Sequence, residues 1–463
     1  MIKESFFDRI NYLELLEKRI KHLKDGYRQN VAITGDEMVG KTSIIFKLLN
    51  KFSDTAIIMI YLEVRPESAN AFIKRFIGSL LYNFLSNSGI PIREDLDFLI
   101  LKSRRYIPRT VEKIEAILAA VEKRKKGNNF SELLSLCDSI YSETGKSCVV
   151  IFDEFHHIES LGFDNLYRDW SRLLITQKNT LYIIISSARF KASSILSKNL
   201  ALLFGNFEVI NVEPFDTRSS EMYLEQRLSG IKIDKGLKNF IVNFTGGFPF
   251  YLEIICEALT KPTQEHLADI LENMLFANSG ALNQKFSSYI KRYLERPFGN
   301  DFISILHMIA NGRNKIKDIA HILKKTRKDL AMRINHLLET DAINKNGDFL
   351  RINDRVFSFW LKFVYQEKSQ SLTFNAENQK AKFRNNIEDM IEDFLMNAQK
   401  PLTQRLSEVL RLFEDESLQV ERKKVRLNQF REIKQLEFSG SRQTALSAAP
   451  RIRSGSCALN ANS

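Results

Sequence analysis

The sequence predicts an α/β protein: a parallel sheet with helices on both faces, followed by a helical subdomain, an α+β module and a helical C-terminal region. Three observations carry this. Short β-branched runs alternate with longer helical patterns through the first half of the chain. Two of those runs, CVVIF and LYIII, are apolar throughout, so both faces must be covered, as in a parallel sheet between helices. After residue 215 the pattern turns helical, with one later exception.

Taken in order, residues 31–34, 56–62, 148–152, 181–186 and 207–212 read as strands, with helices between them, and define a core over 1–213. Residues 214–296 read as a helical subdomain broken only at 245–249. A module over 297–365 contains three short helices, 301–310, 315–323 and 327–339. A hairpin over 342–353 follows, turning at Asn346-Gly347, a dipeptide that tolerates positive φ. Three helices and then a hairpin is the order of a winged helix. Residues 366–438 stay charged and read as helical. Residues 439–463 have few large apolar side chains and read as a disordered tail.

A chain of 463 residues is too long for one ordinary core, which agrees with several units. Hydrophobic residues make up 44% and charged residues 27%, the balance of a soluble globular protein. The formal net charge of +12 favours polyanionic partners without choosing among them. Cys137, Cys148, Cys256 and Cys457 lie far apart, with no zinc-site spacing, so a reduced cytoplasmic setting is expected. The first twenty residues carry charges throughout, and no apolar run nears the ~18 residues of a membrane span, so neither export nor a membrane partner is expected.

The segment Gly35-Asp36-Glu37-Met38-Val39-Gly40-Lys41-Thr42 matches GxxxxGK[ST], directly follows the first strand and precedes a helical run beginning at Ser43. That context is what phosphate binding needs. The strand delivers the chain, glycines let backbone N–H groups wrap a phosphate, and the helix N-terminus favours negative charge. Lys41 would reach the β- and γ-phosphates of ATP, and the Thr42 hydroxyl would coordinate Mg2+. The strand 148–152 ends in Asp153 and Glu154, so Asp153 can hold the metal shell and Glu154 can polarise an attacking water. This pairing favours an ATPase over simple binding. His156 and His157 read as partly exposed loop residues. The strand 181–186 runs into Ser186-Ser187-Ala188-Arg189, and a serine here can bond the γ-phosphate or the lytic water. Both serines stay open, with Ser187 carried as the candidate. Arg189 reads as a surface arginine.

Together these residues resemble the archaeal-type P-loop ATPases of the AAA+/STAND group, related to origin-recognition ATPases. The resemblance runs over about residues 6–365, through Phe6-Phe7-Asp8-Arg9, TGDEMVGKTS, VVIFDEF, IIISSAR, Thr245-Gly246-Gly247-Phe248-Pro249 and LRINDRVFSFWLKFV. It implies that Phe6 and Arg9 pack beside the adenine. It also implies that the helical subdomain is a lid whose Gly247-Phe248-Pro249 turn brings Pro249 toward the nucleotide. Asp8 stands where the family usually has Gly. Some relatives carry a nuclease-like domain, but the segment beyond residue 366 reads as helical, with no strand to carry an Asp/Glu-x-Lys pattern, so none is expected here.

Three functions fit this sequence. One is a nucleotide-switched protein that binds duplex DNA through the winged helix, where nine basic residues face five acidic ones over 301–345. Another is a STAND-like signalling switch that recruits a protein partner, or self-associates, through the lid and C-terminal helices without DNA. The third, a P-loop kinase of a small molecule, is disfavoured because Glu154 is placed to activate water.

Overall fold

In a computed structural model the described residues are 6–90, 92–123, 129–200, 207–261, 266–370, 376–421, 423–437, 444–450 and 457–460. The chain divides into two compact units between Pro214 and Phe215.

The first unit holds the expected parallel sheet. Its strands are β1 (Asn30–Thr34), β2 (Ile57–Glu63), β3 (Ser147–Asp153), β4 (Thr180–Ser186) and β5 (Phe207–Asn211). They lie in the order β2-β3-β4-β1-β5, and every neighbouring pair is parallel. β1, β3 and β4 are buried at every position, which is why their sequences are continuously apolar. Between β2 and β3 the chain makes four helices, Ala69–Asn87, Leu96–Ser103, Pro108–Glu122 and Asn129–Thr144. The long apolar face of the first of these, with Phe72 and Phe76, packs on Phe152 of β3, and Trp170 closes the same cluster edge-on to Phe152 and Tyr182.

Register decides where chemistry can occur. Thr34 pairs with Ser186 and Glu63 with Asp153, so the C-terminal ends of β1, β3 and β4 open on one edge of the sheet. That edge, at a change of strand order, is where open parallel sheets bind ligands.

The second unit begins with five helices, Thr217–Arg227, Lys235–Thr245, Pro249–Leu259, Leu267–Leu275 and Ala281–Leu294. The break between the second and third contains Gly247, whose φ is +76 and where a Cβ would collide with the Phe215 carbonyl oxygen. Three helices follow, Gly299–Ala310, Ile316–Leu323 and Arg327–Glu339, and then the antiparallel hairpin β6 (Ile343–Asn346) and β7 (Phe349–Ile352), with Gly347 at φ +60 in its turn.

The C-terminal part differs from the sequence reading. Helix continues to Leu410 through Ala376–Gln399 and Leu402–Leu410, but residues 416–437, read as helical, form β8 (Glu416–Val420), β9 (Lys423–Leu427) and β10 (Phe430–Glu437). The cause is a period-2 pattern in a charged stretch: Leu418 faces Val425 across β8 and β9, while the Lys and Glu content suits either structure. Part of the tail expected to be disordered is also strand. β11 (Thr444–Pro450) and β12 (Cys457–Asn460) pair antiparallel beside β10, because ladder hydrogen bonds come from the backbone and need no large side chains. The rest of that tail, 439–443, 451–456 and 461–463, lies outside the described residues. Among the described residues no helix is long and apolar enough to cross a membrane.

Candidate active site

The loop from β1 to the helix Lys41–Lys51 is shaped by its backbone. A Cβ at Gly35 would collide with the Val212 carbonyl oxygen, and Gly40 caps the helix at φ +92, where a side chain would be strained. Val39 is buried and holds the loop against the core, whereas Glu37 and Ser43 are exposed and Met38, at φ +66, is half-buried. Lys41 is only 4% exposed, and its Nζ donates to the carbonyl oxygens of Gly35 at 3.1 Å and Asp36 at 2.7 Å. Burial lowers its pKa, while Glu154, Asp153 and Asp36 oppose that shift.

At the end of β3 the two acids have different surroundings. Asp153 is buried; its Oδ2 accepts from Thr42 Oγ1 at 2.8 Å and from the Tyr61 hydroxyl at 2.8 Å, and its Oδ1 accepts from the Glu154 N–H. Glu154 has φ +50, an uncommon conformation that turns its side chain toward the end of β4. There Glu154 Oε2 accepts from Ser187 Oγ at 2.6 Å and from the Ser187 N–H. Burial raises the Glu154 pKa, and the Ser187 bonds pull it back.

The two serines have different partners: Ser187 bonds Glu154, whereas Ser186 bonds His156. Ser186 Oγ is 3.1 Å from His156 Nδ1, and that nitrogen is 3.2 Å from Glu154 Oε2. His156 is thus a buried neighbour of Glu154, not the half-exposed loop residue expected. Desolvation pushes its pKa down to about 3, so it is neutral at pH 7. Arg189 is also not simply a surface arginine; its guanidinium pairs with the Asp36 carboxylate at 2.7 Å, inside the phosphate loop.

Tyr61 was missed because no motif contains it. It lies two residues before Glu63, the register partner of Asp153, and so shares that face of the sheet. Burial and the nearby Asp153 carboxylate raise its phenol pKa, so it stays a donor at neutral pH. Tyr61→Phe should raise the Mg2+ concentration for half-maximal ATPase rate a few-fold, about 1 kcal/mol, without changing metal-free nucleotide affinity. An unchanged Mg2+ titration would show that the Tyr61 hydroxyl does not position Asp153.

The other candidates, Arg9, Phe6 and Pro249, lie at three further places. Arg9 is buried and donates to the carbonyl oxygens of Val39 and Glu213, bracing the phosphate loop against the segment after β5. Asp8 has φ +44, which explains why Gly suits this position. Lys47 lies over the Phe6 ring, placing Phe6 by the helix that follows the loop. Pro249 belongs to the second unit, where it opens the helix Pro249–Leu259.

The donor set fits ATP with Mg2+. Thr42 and Asp153 present hard oxygen atoms 2.8 Å apart beside a loop whose glycine backbone and buried lysine suit phosphate. The strand order and the glycine loop after β1 together define the parallel α/β fold of a P-loop NTPase. No family model and no curated protein matches the sequence. Among solved structures the chain is similar to the Walker-type ATPase of Pyrococcus abyssi, at 18% identity and a TM-score of 0.58, over 78% of this chain and 97% of that one. It is also similar to the ORC2 protein of Aeropyrum pernix in ADPNP-ADP complexes, at 14% identity and a TM-score of 0.45, over 84% and 98% of the two chains. A STAND protein with a tetratricopeptide repeat sensor from Pyrococcus horikoshii aligns at 13% identity and a TM-score of 0.33, over 88% of this chain and 51% of that one.

Proposed function

We propose that the protein binds ATP with Mg2+, hydrolyses it slowly to ADP and phosphate, and uses the nucleotide state to control binding of duplex DNA. The supporting observation is the convergence of Lys41, the Thr42–Asp153 pair and the Glu154–Ser187 pair at adjoining strand ends. The loop 35–40 and Lys41 would hold the phosphates, and Thr42 and Asp153 the metal, which when bound neutralises charge on the transferring phosphoryl group. Glu154, released from Ser187, would orient and polarise water, and Ser187 would then be free to bond the γ-phosphate.

The DNA half of the proposal rests on charge and order of elements, but on fewer residues than the sequence count suggested. Lys315 and Lys317 are paired with Glu414 and Glu416, and Lys325 and Arg333 with Asp301. Lys324 and Lys328, flanking the start of the helix Arg327–Glu339, are exposed. In this reading they would meet the DNA phosphates. ATP turnover measured with and without duplex DNA tests both halves, and stimulation or repression by DNA is expected. Lys324→Glu with Lys328→Glu should weaken duplex binding and flatten the salt dependence of log K by about two units of slope. Duplex affinity indifferent to both substitutions would move the interface elsewhere, and no binding at low salt would remove DNA from the function.

A further inference from the structure

The second unit contains a cavity of about 710 Å³ beside the hairpin β6–β7. That volume lies within the ~300–1,000 Å³ usual for small-molecule sites. Its cations are Lys345 and Arg351 from the hairpin and Arg355 from the helix just after it. Asn314 and Asn344 add amides, and Phe349 and Phe413 supply an aromatic wall, their ring centroids 5.6 Å apart.

The cations of this cavity differ from the paired lysines nearby. Lys315 and Lys317 of the same module are matched by carboxylates at 3.4 Å or less, but among the described residues no ion pair is formed by Lys345, Arg351 or Arg355. Arg355 is half-buried, donates to the Asn243 carbonyl oxygen at 2.8 Å and packs its stem on Gly246. Its pKa is lowered by burial first and then by the charge of Arg351. Two guanidinium groups repelling each other at a concave, partly desolvated surface cost free energy that a bound anion would reverse. Planar guanidinium forks match phosphate oxygens in bidentate geometry, which a single lysine cannot do. The Phe349–Phe413 pair adds a place for a flat apolar group in the same cavity.

We propose that this cavity binds a nucleoside phosphate, its phosphate on Arg351 and Arg355 with Lys345 and its base against Phe349 and Phe413. The site is separate from the phosphate loop and makes the protein a two-nucleotide binder.

Equilibrium dialysis of the full chain against ADP tests it. The chain should take up two equivalents, Lys41→Ala should retain one, and adding Arg351→Glu should weaken that one about ten- to a hundredfold. Arg351→Lys should restore part of it. Phe413→Ala should weaken ADP binding more than binding of inorganic phosphate, and Arg351→Glu, at an exposed position, provides the test should the buried Phe413 prove necessary for folding. The proposal falls if Lys41→Ala takes up no ADP, if Arg351→Glu leaves that uptake unchanged, or if inorganic phosphate binds Lys41→Ala as tightly as ADP. It also falls if a short duplex binds Lys41→Ala through Arg351 and ADP does not, because the cations would then serve nucleic acid. Uptake of one equivalent that is lost in Arg351→Glu and unaffected by Lys41→Ala would instead sink the phosphate-loop reading and leave this one standing.

Discussion

Glu154→Gln is expected to leave ATP bound and to slow its hydrolysis by about 10²–10⁴-fold, the usual contribution of a positioned general base. Glutamine keeps the shape of the side chain and can still bond Ser187, so the fold and the phosphate loop should be undisturbed. What is lost is the carboxylate proposed to polarise water. The pH dependence gives a second readout. Burial raises the Glu154 pKa, so as pH falls the base becomes protonated earlier than an ordinary carboxylate would, and the rate of the unmodified chain should fall with it. The residual rate of the Gln variant should lack that acid limb. Single-turnover measurements across pH would check both. A variant that hydrolyses ATP at the original rate with the same pH profile would transfer the catalytic role away from Glu154.

Lys41→Ala should weaken ATP binding by on the order of a hundredfold or more, because the phosphate cradle loses its buried cation. Lys41 already donates to two carbonyl oxygens of its own loop, so the lysine also holds the loop's shape, and both effects act in the same direction. Titration with a fluorescent ATP analogue, monitored by energy transfer from Trp170 in the same unit, would measure it at the phosphate loop. Unchanged affinity there would sink the assignment of residues 35–42 as a phosphate site. Magnesium should not rescue the variant, since in the proposed site Thr42 and Asp153 would bind the metal and not the phosphate directly.

The sheet and the phosphate loop were legible in the sequence because each is specified locally. A strand buried on both faces needs a continuous apolar run, and a phosphate loop needs its glycines, lysine and threonine within eight consecutive residues. Asp153 and Glu154 were legible for the same reason, as acids at the end of such a run. The strands over 416–437 were not, because their alternation is short and their charges suit a helix equally well; pairing between β8 and β9 decided the matter.

What only the tertiary structure decided are the contacts between residues distant in sequence. Tyr61 reaches Asp153 through the register of β2 on β3, and Ser187 reaches Glu154 because β4 lies beside β3. His156 is drawn under Glu154 by the turn after β3, and Arg189 is turned onto Asp36 by the neighbouring strand. The lysines at 315 and 317 lose their role as free charges to Glu414 and Glu416, about a hundred residues away in the chain. Periodicity and motifs report the conformation of one stretch of backbone. Which side chain stands opposite which is set by strand order and register, and neither is written in any single segment.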